Sequence, residues 1–357
     1  MNPKFINLAT KAQIEGRYSF TGCYIPDPHQ ILIHGGLSEA GELRSFAQLD
    51  LMTLVWKELS IETADPISGH SGVQLEGNFV LFGGWRGSSY SDKLVVYHRD
   101  GLIEERNRTS GEWGLPSARN HHTLTLANDC LYLLGGWDSL KWNNSNTSFA
   151  QLWRLKSNWE WELCDVFGKQ PISRRGHSTS YFPQSNCLVV YGGMYGYSRL
   201  LSSLYILDLN EMLWIKVGNF TKRAWHSASC LDKFIYIFGG YTESGISNDL
   251  QRFNVEERTC EFIEVQSKPS PRCGHISLSV EGFILILGGK DEDSIFNDVY
   301  VLDVQDKYQE LRQKFETKEK VQRELDSLDI APPPIPPNLL KSRFFTPSQK
   351  FNPKDLM

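Results

Sequence analysis

Six times in its 357 residues the chain runs through apolar, β-branched and aromatic positions and stops on two glycines. The runs are ILIHGG ending at Gly36, FVLFGG at Gly84, LYLLGG at Gly136, LVVYGG at Gly193, IYIFGG at Gly240 and ILILGG at Gly289. Runs of this composition read as buried strands. A glycine pair at the end of each marks torsions, or an approach by other backbone, that a side chain would forbid. Successive pairs stand 47 to 57 residues apart. Length alone admits two or three domains, but a period near fifty favours one repetitive domain.

Each period carries four strand-like segments between polar turns, seen best in the fourth repeat: 176–182, 187–193, 203–209 and 213–217. A late aromatic follows the glycines at Trp56, Trp161, Trp214 and Phe262 in repeats one, three, four and five, where repeat two has only Ile103. The tryptophans are expected in the core between repeats. The last repeat lacks its fourth segment, because the chain turns highly charged at Gln305. The N-terminus offers a replacement: Phe5 stands twelve residues before Arg17, much as Trp56 stands eleven before Ile67 and Trp161 thirteen before Arg174.

This pattern resembles the kelch motif of β-propellers over residues 4–304. The resemblance implies an all-β, six-bladed kelch β-propeller spanning residues 1–304, closed by an N-terminal strand from Phe5 to Ala9 that completes the last blade. Beyond it, Tyr308, Leu311, Phe315, Val321, Leu325 and Leu328 recur at helical spacing, so 305–330 is expected to form an amphipathic helix. The Pro-rich segment 331–357, with APPPIPP, reads as a flexible tail or short docking motif.

Charge is nearly balanced, 37 basic residues against 42 acidic, so no global field points to nucleic acid. No stretch has membrane-spanning length, MNPKFINLAT has no signal-peptide run, and the seven cysteines form no CxxC pair. A cytoplasmic or nuclear protein is expected, with no membrane insertion and no nucleic-acid partner.

In an up-and-down blade the loop before strand one and the loop after Gly-Gly share a face. On that face Arg17, Arg119, Arg174, Arg223 and Arg272 recur in five of six repeats, with Ile67 in the second. Three positions later come His70, His122, His177, His226 and His275, or Phe20 in the first repeat. Trp85, Trp137 and Tyr241 directly follow the glycines, and Arg175, His121 and Trp225 depart from the small or polar residues at their places. Guanidinium groups among aromatic platforms suit an anion, here a peptide carboxylate or acidic segment. An even alternative is that the repeat arginines are struts bonded to backbone carbonyls. The recurrent histidines read as architecture.

KRAWHSAS and IYIFGGYTESGISNDLQRF are similar to stand-alone kelch-domain proteins, some of them substrate receptors of cullin ubiquitin ligases that capture a C-terminal carboxylate with channel-mouth arginines. That likeness implies a contact from Arg223, with Trp225 beside it, and a possible cullin-ligase adaptor as partner. The expected function is therefore a non-catalytic protein-interaction module without cofactor. The alternatives are a scaffold or trafficking effector that engages a small GTPase through outer blade surfaces, and a metal-dependent enzyme. The last would need converging ligands, whereas Asp138 and Glu243 stand isolated.

Overall fold

The computed structural model describes residues 3–310 except 12, 60–64, 107, 108, 111–113 and 139–149, together with 312, 313 and 317. Six sheets, each built on four antiparallel strands that step from the axis outward, form the blades of a propeller, and in the third and fourth a two-residue strand adds a parallel pairing at the outer edge. The fourth blade shows the pattern: Ser178–Phe182, Cys187–Tyr191, Ser203–Asp208 and Leu213–Asn219. The last blade takes its outer strand from the other end of the chain. Lys4–Asn7 pairs antiparallel with Val299–Asp303, Phe5 standing opposite Leu302. The innermost strands touch in succession around the axis, Ile276–Val280 meeting Thr21–Ile25 to close the ring.

The glycine pairs are where one blade receives the next. A Cβ on Gly135 would lie 2.5 Å from the Arg174 carbonyl oxygen and 2.4 Å from the His177 ring. The N–H of Gly136 donates to that same carbonyl at 2.9 Å. Both glycines also sit at positive φ, 71° and 107°, where a side chain is disfavoured. Each repeat ends its second strand this way because the neighbouring backbone occupies the space.

Between blades lie the hydrophobic clusters. Trp56, Trp161 and Trp214 are buried there, opposite Leu49, Leu155 and Leu207 on the adjacent strand. Phe5, opposite Leu302, takes the same place in the sixth blade. The register corrects the assignment of Phe262 to this series. The residue opposite Phe253 is Cys260, while Phe262 ends an outer strand at 62 % exposure. Phe220 packs against Phe253 at 6.1 Å in the same cluster as Cys260.

The chain leaves the propeller through a capped turn. Asp303 is buried, and its carboxylate accepts N–H groups of Gln305 at 3.2 Å, Lys307 at 3.1 Å and Tyr308 at 3.0 Å. Residues 308–310 are helical and Tyr308 packs edge-on against Phe283 at 6.3 Å. Most of the expected helix and all of 331–357 lie outside the described residues. Asp303→Ala is expected to cost about 1 kcal/mol, as loss of an N-cap does, and to speed amide hydrogen exchange at 308–310 more than in the blades.

Candidate functional site: the channel mouth

The five repeat arginines do not reach the surface. Arg17, Arg119, Arg174, Arg223 and Arg272 are at most 2 % exposed. Each turns back into its own blade and donates from Nη1 to the carbonyl of the first glycine of the pair: Gly35 at 3.2 Å, Gly135 at 2.8 Å, Gly192 at 2.9 Å, Gly239 at 2.8 Å and Gly288 at 2.9 Å. Arg223 and Arg272 add paired bonds to Asp249 and Asp298. Burial lowers Arg119 to about 9 and Arg174 to about 10. A glycine carbonyl at the end of a buried strand needs a donor, and the guanidinium supplies it. These five are struts, so the reading of them as ligand contacts, including Arg223 as a carboxylate reader, is corrected.

The histidines are structural too. His177, His226 and His275 bond through Nε2 to Thr123, Ser178 and Ser227 of the preceding blade, at 3.1, 2.9 and 2.9 Å.

What remains at the mouth is a closed ring of backbone. Ser19, Gly69, His121, Gly176, Trp225 and Gly274 occupy the same place in successive blades, all at φ between 50° and 66°. Each N–H donates to the carbonyl of its predecessor at 2.6–2.9 Å, and Ser19 bonds Gly274 to complete the circle. Three of the six are glycine, as the torsion asks. A bulky residue there costs on the order of 1–2 kcal/mol. His121 and Trp225 hold the position nonetheless, and their rings lie over the glycines of the preceding blades. A Cβ on Gly69 would be 3.1 Å from the His121 ring, and one on Gly176 2.9 Å from Trp225 Nε1. The two rings meet edge-on at 6.1 Å, roofing a channel of about 200 Å³. Burial and the nearby Arg175 hold His121 down at about 4, so it is neutral.

Arg175 joins this pair. Its backbone exchanges hydrogen bonds with Met194 at 3.0 and 2.8 Å, which aims the side chain across to the third blade. The guanidinium lies 4.3 Å from the Trp137 ring centre and 6.0 Å from that of Trp225. One Nη approaches Met194 Sδ at 3.9 Å, and Nε is buried without a partner among the described residues. No carboxylate pairs with it among the described residues. Burial lowers its pKa, offset by the phenols of Tyr90 and Tyr197.

Two aromatic walls flank the guanidinium. Tyr197, 66 % exposed, packs edge-on against Trp137 at 4.9 Å, and Tyr90 packs against Trp85 at 4.7 Å. Thus Arg175, His121, Trp137 and Trp225 come together and Trp85 adjoins them through Tyr90. Tyr241 stands exposed on the fifth blade, paired by backbone with Ala224 and apart from the cluster. Tyr90 and Tyr197 escaped the reading by repeats, because they sit in loops of unequal length after the glycines. Asp138 is buried, and Glu243 pairs with Lys222 at 2.7 Å.

Comparison with known proteins follows the fold. The model of the KLHDC2/KLHL20/DRC7 kelch-repeats domain matches residues 6–158 and 121–327. Acyl-CoA-binding domain-containing protein 5 of Arabidopsis thaliana is 31 % identical over 226 residues, 59 % of this chain and 34 % of that protein. The Drosophila melanogaster homolog of leucine-zipper-like transcriptional regulator 1 is 26 % identical, over 58 % of this chain and 23 % of its own length. The human Rab9 effector protein with kelch motifs is 34 % identical over 33 % of this chain and 34 % of its own. These matches span about a third or less of the relatives' own lengths.

Proposed function

The chain belongs to the KLHDC2/KLHL20/DRC7 kelch-repeat family, and from that premise we propose that it binds the C-terminal carboxylate of a partner protein at the channel mouth, with Arg175 as the anion-reading group. Kelch propellers are protein-interaction modules, and the site supports the finer reading. The observation that carries it is the state of Arg175: half-buried, stacked on tryptophan, and without a carboxylate among the described residues. Arg223 and Arg272 in the same protein each hold one. A guanidinium desolvated on an aromatic platform gains most from an anion that arrives with its own chain, and its planar fork matches one carboxylate. Trp225 and His121, kept at a torsion glycine would fill at no cost, are explained by a gain elsewhere. Role as a ubiquitin-ligase substrate receptor is the extension we favour, with the segment beyond residue 310 as the candidate ligase contact.

A random-sequence peptide library with free C-termini, compared with the same library amidated, tests the reading. Retention of free-ended peptides alone is expected, with individual binders then measured by fluorescence polarisation. Arg175→Ala should weaken them by about 30-fold or more, corresponding to roughly 2 kcal/mol for a stripped charge pair. Trp225→Gly should lose binding yet keep its melting temperature within a few degrees, since glycine relieves the backbone. Equal retention of both libraries would overturn the proposal. It would favour the effector reading, which the likeness to the Rab9 effector supports and which places binding on outer blade surfaces.

A further inference from the structure

The second blade departs from its siblings at three places that the fold brings to one gap. Ile67 stands where five blades have the strut arginine. Lys93 occupies the arginine's acceptor place: its carbonyl takes the N–H of Gly83 at 3.2 Å, as Ser45 and Ser203 take those of Gly35 and Gly192, also at 3.2 Å. In those blades the serine hydroxyl accepts from Arg17 or Arg174, each at 3.2 Å. Ile103, opposite Tyr97, holds the register place of the inter-blade tryptophan. A guanidinium and an indole are thus both replaced by smaller side chains along one interface. Its cluster of fully buried residues, Cys23, Leu32, Phe46, Phe79 and Leu81, is the smallest between blades among the described residues.

Protein interiors close such gaps, and the surviving volume is the informative fact. A cavity of about 260 Å³ remains between blades one and two. Its walls are Phe46, Leu81, Val95 and Ile103, and its base holds His34 and His70. At the mouth two ion pairs balance each other, Lys93 with Glu105 at 2.5 Å and Arg86 with Asp65. His34 is itself an exception, since the residue before the glycines is apolar or tyrosine in the other repeats. It is 5 % exposed, its Nδ1 meets His70 Nε2 at 3.0 Å, and its Nε2 is buried with no partner among the described residues. Burial holds both imidazoles neutral.

We propose that this cavity binds a neutral aromatic ring bearing one hydrogen-bonding group, of the size of a phenol or an indole, with that group turned to the base formed by His34 and His70. The size follows from the volume: an apolar cavity of about 150 Å³ takes benzene, and sites for drug-sized molecules begin near 300 Å³. Neutrality follows from the paired mouth and uncharged base. An aromatic body follows from the groups whose absence made the space, both flat, and from Phe46, tilted against His34 at 4.0 Å and stacked on Tyr97 at 4.7 Å. The buried imidazole nitrogen asks for a polar substituent. This site is independent of the channel mouth.

Indole, 4-methylphenol and N-acetyl-tryptophanamide are the probes, titrated into the full chain by calorimetry and by ligand-observed NMR. Saturable binding is expected, with Kd of about 0.1–1 mM for ligands this small. The double variant Ile67→Arg, Lys93→Asp rebuilds the arginine–aspartate strut of blades five and six. It should weaken binding at least about tenfold without lowering the melting temperature. If that variant fails to fold, Ile103→Trp fills the same space from the outer strand and carries the test. His34→Leu keeps the cavity and should weaken indole and 4-methylphenol while sparing toluene. Amide-capped tryptophan binding about tenfold tighter than indole would identify the natural ligand as a partner's side chain, and the reverse order as a free small molecule. Absence of saturable binding to the wild type, or binding that survives in the filled variants, overturns the proposal.

Discussion

Lowering the pH from 7.5 to 5 is expected to unfold this propeller. Six histidines, His34, His70, His122, His177, His226 and His275, are 5–6 % exposed and held neutral. Burial is the first cause in each, and His70 and His275 are pushed down to about 3, the others well below their usual range. In the unfolded chain each titrates near 6.5. Below that pH the unfolded chain takes up protons that the native state refuses, so stability present above pH 6.5 is lost on acidification. The loss is roughly 1.4 kcal/mol per pH unit for each histidine, about 2 kcal/mol by pH 5. Six such groups together approach the roughly 5–15 kcal/mol that stabilises a typical domain. Thermal melts at pH 7.5, 6.0 and 5.0 read the effect directly, and a constant melting temperature would refute it. His122→Phe, which removes a ring whose two nitrogens both lack partners among the described residues, should flatten the profile by one histidine's share.

The glycine pairs made the propeller legible because one local requirement, passage of neighbouring backbone, recurs at every blade. Phe5 was legible for the same reason: its distance to Arg17 matches that of Trp56 to Ile67, and the structure gives both the same register place. The strut arginines were open to two readings because residue order fixes the face of the loop, while the side chain's direction depends on an unpaired carbonyl sixteen to eighteen residues away. Their recurrence was the available signal: what every blade repeats serves the blade. Departures told the opposite story. Arg175, His121 and Trp225 break the repeat, and the fold gathers them with Trp137. Ile67 and Ile103 also break it, but only strand register shows that the two face the same gap.

Arg272→Ala is expected to cost about 3–5 kcal/mol, the penalty for removing one member of a buried, hydrogen-bonded charge pair. Three partners lose four hydrogen bonds at once. Gly288 carbonyl loses a bond of 2.9 Å and Ser270 carbonyl one of 3.2 Å, while Asp298 loses two, at 2.6 and 3.0 Å. The guanidinium also lies 4.3 Å from the Phe296 ring centre, so packing goes with charge. Asp298 is a quarter exposed and recovers water, which keeps the cost from rising further. Arg272→Lys should rescue little: an ammonium on a flexible stem is unsuited to a fork that bonds glycine and both carboxylate oxygens together. At about 2–4 °C per kcal/mol for a protein this large, the melting temperature should fall by roughly 6–20 °C. The same truncation at Arg175 removes no carboxylate partner and should shift it by only a degree or two. A melting temperature unmoved by Arg272→Ala would show that the glycine carbonyl finds another donor, and the repeat arginines would lose their claim to hold the blades.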